Sequence, residues 1–89
     1  MKIVWSEEAW EQYEYWQTAD RRILRRTNAL IRDIMREDEG RIGKPERLRG
    51  DLSGFWSRRI NDEHRLVYMI DSVGDSLLIA ACRYHYSAR

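Results

Sequence analysis

The most apolar run of the chain, LLIAAC from Leu77 to Cys82, constrains its fold more than any other stretch. All its positions are apolar, whereas a strand with one face in water alternates apolar and polar side chains. Both faces of this strand therefore need apolar neighbours. We predict that the strand extends from Asp75 to Tyr84 and lies inside a sheet, with helices covering one face.

Further strand patterns occupy residues 55–60 and 64–70, and short turn-like segments separate them from each other and from the apolar run. Such spacing predicts an antiparallel meander. Met1 to Trp5 is apolar and β-branched, which predicts one more strand. Residues 41–54 contain several glycines and the chain's only proline, so they are predicted to form a loop.

Two helical patterns fill the segment between the first strand and this loop. Ser6 and Asp20 are suited to cap their amino termini, because a short polar side chain can accept a hydrogen bond from an unpaired amide. The predicted fold class is α+β, with two amino-terminal helices packed on a mainly antiparallel sheet of four to five strands. We expect a single domain spanning residues 1–89.

Composition indicates a soluble protein of the cytoplasm. Hydrophobic residues make up 43% of the chain and charged residues 35%, and no apolar run approaches the ~20 residues of a membrane span. The first residues, MKIVWSEE, do not have the layout of a secretory signal. Cys82 is the single cysteine and cannot form an internal disulfide, which suits a reducing compartment. We expect no contact with membranes.

Charge is divided unevenly along the chain. The formal net charge is +1, but residues 1–40 carry 7 basic and 9 acidic side chains, and residues 41–89 carry 9 basic and 6 acidic ones. Attraction for phosphate is therefore expected in the second half. Because the total is so small, we expect a larger partner to supply most of the free energy of binding to nucleic acid.

Arginines interrupt the apolar pattern of residues 52–68, where burial does not require them. Arg58 and Arg59 point to opposite faces of their strand, and Arg65 lies on the next strand. The register of this hairpin decides which of the two meets Arg65, and the sequence does not fix that register. Each arginine could instead be solvated, or form a surface ion pair with an acid of the turn, which contributes ~0–1 kcal/mol.

Glu46 and His85 are titratable side chains on either side of the arginine cluster. A ribonuclease without a metal needs a base for the 2′-hydroxyl proton, cations for the phosphate and an acid for the departing 5′-oxygen. Glu46, the arginines and His85 offer a candidate for each role. The plainer interpretation is a solvated loop acid and an ordinary terminal histidine. The remaining residues show no metal-ligand spacing and no phosphate-loop pattern.

Four segments closely resemble the YoeB toxins, the Txe/YoeB branch of the RelE superfamily: KIVWSEEAW, GKPERL, DLSGFWSRRINDEHRLVY and SLLIAACRYHY. The resemblance covers nearly the whole chain and implies the RelE-like microbial RNase fold. It also implies the toxin of a type II toxin–antitoxin system, an endoribonuclease that cuts mRNA in the decoding site of the translating ribosome. This chemistry would need no metal and no cofactor.

The family's pattern also assigns roles to individual residues. It implies four catalytic residues, namely the general base Glu46, the phosphate-stabilising cation Arg65, the general acid His85 and the positioning residue Tyr86. Substrate contacts are expected from four others, namely Arg59, Lys44, Arg49 and, as a substitute for Arg59, Arg58. Family members commonly stop at the His-Tyr pair, whereas this chain continues through three more residues.

The implied partners are mRNA, the ribosome and a cognate antitoxin of the YefM/Phd-like kind, with operator DNA reached only through the antitoxin complex. A homodimer is left open. Two other functions fit the same residues. A non-catalytic protein that binds RNA or the ribosome would block translation and leave mRNA intact. A co-repressor bound to its antitoxin would act on DNA, and replacing His85 would leave repression unchanged.

Overall fold

The computed structural model describes residues 1–36 and 42–85. These residues form two helices and a five-stranded sheet, in the chain order β1 (Lys2–Trp5), α1 (Glu7–Ala19), α2 (Arg21–Met35), β2 (Glu46–Arg47), β3 (Trp56–Arg59), β4 (Arg65–Asp71) and β5 (Ser76–Ala81). A short 3-10 turn, Gly50–Leu52, lies between β2 and β3. The strands are ordered β1-β5-β4-β3-β2 across the sheet, in which β1 runs parallel to β5 and the other pairs are antiparallel.

β5 occupies the interior place that its apolar sequence predicts. It lies between β1 and β4, and Leu77 and Ile79 are 0% and 1% exposed. Together β3, β4 and β5 form the predicted antiparallel meander. The predicted extension of the strand to Tyr84 is wrong, because β5 ends at Ala81. The φ of Tyr84 is 70°, which no extended backbone adopts.

The two helices begin where their caps predict. Ser6 Oγ accepts a hydrogen bond from the Ala9 amide at 3.0 Å. Asp20 Oδ1 accepts from the amides of Arg22 at 3.0 Å and Ile23 at 3.2 Å. Each cap therefore binds amides that have no partner inside the helix.

The helices cover one face of the sheet and share a core with it. The buried side chains that join the two layers include Ala9, Trp16, Leu30, Ile31, Ile34, Leu66, Tyr68, Leu77 and Ile79. The predicted α+β architecture, two amino-terminal helices on a mainly antiparallel sheet, is confirmed. Within residues 1–36 and 42–85, no helix has the length and apolar character needed to cross a membrane.

The predicted loop contains a strand within the part that the structure describes, residues 42–54. Glu46 pairs with Ser57 and Arg47 with Trp56, both in β3. The prediction of a loop is therefore wrong at these two residues, since a two-residue strand is too short to show alternation in the sequence. The pairing places Glu46 on the edge of the sheet.

Candidate active site

A cleft of about 560 Å³ lies where β2, β3 and β4 meet the end of the described chain. The predicted site residues that line it are Glu46, Arg65, His85, Arg59, Lys44 and Arg49. Arg47, Leu48 and Ser57 complete the lining. Tyr86 lies outside the described residues, and Arg58 is not among the lining residues. Side chains from distant parts of the chain therefore meet around one space.

Strand register determines which side chains share the floor of this cleft. Arg59 and Arg65 are direct partners in the β3–β4 pairing, and Ser57 pairs with Glu46 of β2. Facing residues on adjacent strands lie on the same side of a sheet, as do alternate residues along one strand. Arg59, and not Arg58, is therefore the arginine beside Arg65, and Glu46 lies on their side of the sheet.

The cleft is strongly positive for a protein of net charge +1. Its lining has one acidic residue, Glu46, and five basic ones, which are Lys44, Arg47, Arg49, Arg59 and Arg65. Like charges directly opposite on neighbouring strands destabilise a sheet. The facing arginines therefore disfavour folding, and an anionic ligand between them would relieve their repulsion.

The two facing arginines are held in different ways. Arg65 Nη1 donates to the carbonyl oxygens of Asn61 at 2.6 Å and His64 at 3.1 Å. Arg59 Nη2 donates to Asp62 Oδ1 at 2.9 Å, in an ion pair whose carboxylate is 97% exposed. Such a surface ion pair, with an acid of the turn, is the alternative role that the sequence allowed for each arginine. Pairs of this kind contribute only ~0–1 kcal/mol. The guanidinium of Arg59 can therefore leave Asp62 at little cost and bind an anion such as phosphate. The guanidinium of Arg65 is instead held in place by carbonyl groups of the turn.

Asn61 organises the turn that braces Arg65. Its Oδ1 accepts from the amides of Glu63 at 2.9 Å and His64 at 2.8 Å, as asparagine side chains do in Asx-turns. Both carbonyls that hold Arg65 belong to this turn, so Asn61 fixes the direction of the guanidinium. Sequence reasoning assigned Asn61 to the connection and missed this role.

Gly43 fixes the segment that leads to Glu46. Its carbonyl accepts from the Arg59 amide at 2.7 Å. Its φ is 83°, in the left-handed region that glycine adopts readily. A Cβ here would lie 2.8 Å from Leu30 Cδ2 and 3.1 Å from the Arg59 carbonyl oxygen. The absence of a side chain therefore lets the chain pass between α2 and β3 just before Glu46.

Arg58 is a structural residue, and the prediction that it could contact substrate in place of Arg59 is wrong. Its side chain is 7% exposed and forms a salt bridge through Nη1 with Asp33 Oδ2 of α2. Its Nε donates to the Tyr68 hydroxyl at 2.9 Å. The hydrogen bond from Arg58 holds the pKa of the Asp33 carboxyl below its ordinary value. Arg58 therefore joins the sheet to the helices.

The buried ion pair of Arg58 and Asp33 also binds the backbone of Ile42, the residue before Gly43. The Ile42 amide donates to Asp33 Oδ2 at 3.2 Å, and the Ile42 carbonyl accepts from Arg58 Nη1 at 3.1 Å. Both backbone groups of Ile42 are thus bound from the core side. Sequence reasoning missed Asp33, although a carboxylate within the apolar pattern of α2 was a signal of a buried partner.

The backbone conformation of Tyr84 determines where His85 lies at the cleft. The Tyr84 amide donates to Nδ1 of His64 at 2.7 Å, and its carbonyl accepts from the Arg65 amide at 3.0 Å. The left-handed conformation of Tyr84, with φ of 70°, is uncommon for residues other than glycine. Burial, which disfavours the imidazolium, lowers the pKa of His64 below its ordinary value. His85 itself is exposed at the edge of the cleft.

The cleft combines a carboxylate and an imidazole, which can accept and donate protons, with several cations, which can stabilise negative charge. In residues 1–36 and 42–85 there is no cluster of histidine, cysteine or acidic side chains that could hold a metal ion. Fold and cleft together define a small α+β protein with a positively charged cleft on the open face of its sheet.

Solved structures show which class of protein has this fold. The chain is similar to the YoeB/ParE toxin from Agrobacterium tumefaciens, with a TM-score of 0.90 and 46% identity over 97% of this chain and 100% of that one. It is also similar to YoeB from Staphylococcus aureus, solved as a dimer, with a TM-score of 0.85 and 44% identity over 97% and 98% of the two chains. YoeB in the YoeB–YefM complex from S. aureus gives a TM-score of 0.84 at 43% identity, with the same coverage. The class is that of the bacterial toxins.

Sequence comparison gives the family. The family model described as a YoeB-like toxin of bacterial type II toxin–antitoxin systems matches residues 5–86. Toxin YoeB of Escherichia coli strain K12 is 59% identical over 86 residues, which are 97% of this chain and 100% of the relative. The chain belongs to the YoeB family of toxins of type II toxin–antitoxin systems, as the resemblance of its four segments predicted.

Proposed function

We propose that this toxin is a metal-independent endoribonuclease that cuts mRNA in the decoding site of the translating ribosome. The observation that carries the proposal is one positive cleft lined by Glu46, Arg65 and His85. These are the three kinds of group that cleavage through the 2′-hydroxyl needs. Membership of the YoeB family supports the same activity through the resemblance described above.

In the proposed reaction, Glu46 takes the proton of the 2′-hydroxyl, and the resulting oxygen attacks the phosphorus. Arg65 stabilises the negative charge that builds on the phosphate, and Arg59 is the second contact. The bond between phosphorus and the 5′-oxygen breaks, and His85 gives a proton to that oxygen. The products are a 2′,3′-cyclic phosphate, or the 3′-phosphate formed when water opens it, and a 5′-hydroxyl.

The remaining predicted site residues have supporting roles in this proposal. Lys44 and Arg49 line the cleft and would contact the backbone of mRNA or ribosomal RNA, since phosphate contacts position nucleic acid without reading its sequence. Tyr86 lies outside the described residues. Its role as a positioning residue beside His85 comes from the family resemblance.

Dependence on the ribosome follows from the small net charge. Non-specific affinity for nucleic acid grows with the number of phosphates that a protein neutralises, and the net charge of this chain is only +1, although the cleft itself is basic. The ribosome would supply the missing binding free energy, which places the toxin in the cytoplasm. We expect little cleavage of free RNA, and equal rates with and without ribosomes would contradict this part of the proposal.

The acid–base roles are tested by Glu46→Gln and His85→Gln, separately and together, with ribosome-bound mRNA as substrate and primer extension as the readout. Each change should lower the rate by about 10²- to 10⁴-fold, because each removes a proton-transfer step. Glu11→Gln, an exposed residue of α1, is the matched control and should cut at the wild-type rate.

A double variant that cuts as fast as the wild type would refute the assignment of Glu46 and His85. Arrested translation with intact mRNA, in the wild type, would instead favour the non-catalytic RNA- or ribosome-binding inhibitor. Labelling of the new 5′-hydroxyl ends checks the proposed products independently of the rate.

The S. aureus structures support two partners for this chain, a YefM-like antitoxin and a second copy of the toxin. We expect operator DNA to be bound only by the complex with the antitoxin. Light scattering after gel filtration measures both assemblies, and gel-shift titration measures DNA binding. Tight operator binding by the toxin alone would contradict the proposed arrangement.

A further inference from the structure

His64 lies outside the groups that the proposed reaction uses, yet it holds the residue before His85. Its Nδ1 accepts from the Tyr84 amide at 2.7 Å, while the amide of the next residue, Arg65, donates to the Tyr84 carbonyl at 3.0 Å. The two backbone groups of Tyr84 are therefore bound by two consecutive residues, His64 and the first residue of β4. We propose that His64 is a positioning residue that acts through Tyr84 to hold His85 at the cleft. Its effect on catalysis rests on the proposed function.

The conformation of Tyr84 explains why such a contact is needed. Its φ of 70° places a residue with a side chain in the left-handed region, which persists in proteins where surrounding contacts enforce it. This conformation turns the chain after β5, so that His85 reaches the cleft. Without the bond to Nδ1, the amide of Tyr84 would be free to rotate, and the imidazole of His85 would lose its fixed position.

His64 is itself held at its ring and at its backbone. It packs edge-on against Trp16 at a centroid distance of 4.8 Å, and its backbone amide donates to Asn61 Oδ1 at 2.8 Å. Trp16 is 4% exposed, and its Nε1 donates to the Cys82 carbonyl at 2.9 Å. His64 therefore connects the helical layer, the turn that braces Arg65 and the segment that carries His85.

The contact requires a neutral imidazole with its proton on Nε2, because Nδ1 must offer a lone pair. The charged groups that face the ring are Glu63 from the turn, Asp20 from the cap of α2 and Arg83 from the segment after β5. The two carboxylates raise the pKa of His64 and Arg83 lowers it, but burial is the largest effect and lowers the pKa overall. The contact is therefore present at neutral pH. It is lost as the pH falls through a pKa lower than the ordinary ~6.5.

Two variants distinguish the effect of the Nδ1 acceptor of His64 from the effect of its ring packing against Trp16. His64→Phe keeps a ring against Trp16 without an acceptor, and His64→Asn places an amide oxygen near the position of Nδ1 that does not titrate. With ribosome-bound mRNA, we expect His64→Phe to lower kcat by about 10²-fold with little change in KM, as displacement of a reacting group by ~1 Å does. His64→Asn should recover most of that loss and should lack the decrease in rate that protonation of His64 causes in the wild type.

Nuclear magnetic resonance on the ¹⁵N-labelled free toxin tests the contact without any activity. In the wild type, Nδ1 of His64 should have the shift of an unprotonated nitrogen at neutral pH. The Tyr84 amide should shift when His64 titrates, and it should shift in His64→Phe. A Tyr84 amide that stays constant across the titration would overturn the proposal, whether or not His64→Phe folds.

The two proposals fail in distinguishable ways. If the wild type does not cut mRNA but the Tyr84 amide follows His64, the proposed function is wrong and the contact stands. If the wild type cuts mRNA and a folded His64→Phe cuts equally fast, His64 does not position His85.

Discussion

Replacing Asp33 by asparagine would measure what the buried ion pair beneath β3 contributes. The side chains of Asp33 and Arg58 are each 7% exposed, so little water can compensate for the lost charge. Arg58 would keep its bonds to Tyr68 and Ile42 but lose the carboxylate that faces it. Disrupting a buried pair from one side typically costs about 3–5 kcal/mol. This is a large part of the roughly 4–13 kcal/mol expected for a chain of 89 residues.

The melting temperature gives a second estimate of the same loss. An unfolding entropy of about 2.1 cal/mol/K per residue amounts to roughly 0.19 kcal/mol/K for this chain, so a loss of about 3–5 kcal/mol should lower the midpoint by about 16–26 °C. Urea denaturation followed by tryptophan fluorescence measures the free energy directly. The matched control is Asp62→Asn, which removes the carboxylate of an exposed pair with Arg59 and should cost ~0–1 kcal/mol.

The difference in the free energy of unfolding between wild type and Asp33→Asn should also depend on pH. The pKa of the Asp33 carboxyl is lowered from 3.8, first by the hydrogen bond from Arg58. A carboxyl group whose pKa is lower in the folded state stabilises the fold at pH values above its pKa in the unfolded state. This stabilisation is lost as the pH falls through its pKa in the folded state. The difference should therefore be complete at pH 7 and shrink below about pH 3.8. If Asp33→Asn loses no more than Asp62→Asn at pH 7, the reasoning about the buried pair is wrong.

Gly43 and Cys82 give two further predictions. Gly43→Ala should destabilise the fold by about 1–3 kcal/mol in urea denaturation and slow mRNA cleavage, because it combines a positive φ with a Cβ contact of 2.8 Å. Gly54→Ala, with a φ of 99° but nothing within 4 Å of its Cβ, tests the backbone alone and should cost less. Equal losses would show that the close approach to α2 is unimportant. Cys82 is 0% exposed, and burial raises the pKa of its thiol to about 12, so iodoacetamide at pH 8 should modify it only after denaturation. Rapid native modification, measured by mass spectrometry, would contradict its burial.

Much of the fold could be predicted because its signals are local. The caps at Ser6 and Asp20 depend on one side chain and the amides next to it, and the run from Leu77 to Cys82 is too apolar for any place but the interior. The end of β5 and the strand β2 could not be predicted in this way. β2 exists because two residues pair with β3, and that partner lies about ten positions further along the chain.

The residues that line the cleft were easier to predict than their arrangement. Residue types pointed to Glu46, Arg65 and His85, and the structure brings all three to one cleft. The choice between Arg58 and Arg59 depends on register, since a shift of one residue reverses which side chain faces the core. The pairing of Arg59 with Arg65 resolves that choice, and it leaves Arg58 on the side of the helices.

Cleft residues are held largely from outside the cleft. Arg58 and Asp33 bind both backbone groups of Ile42, just before the segment that carries Glu46. His64 in turn binds the amide before His85. Glu46 and His85 are both exposed, so apolar packing does little to fix them, and directional hydrogen bonds to neighbouring backbone groups take over that role. Replacing His64, which would break the bond to Tyr84, should therefore displace His85, the proposed general acid, while leaving the core intact, and activity should be lost at temperatures where the sheet is still folded.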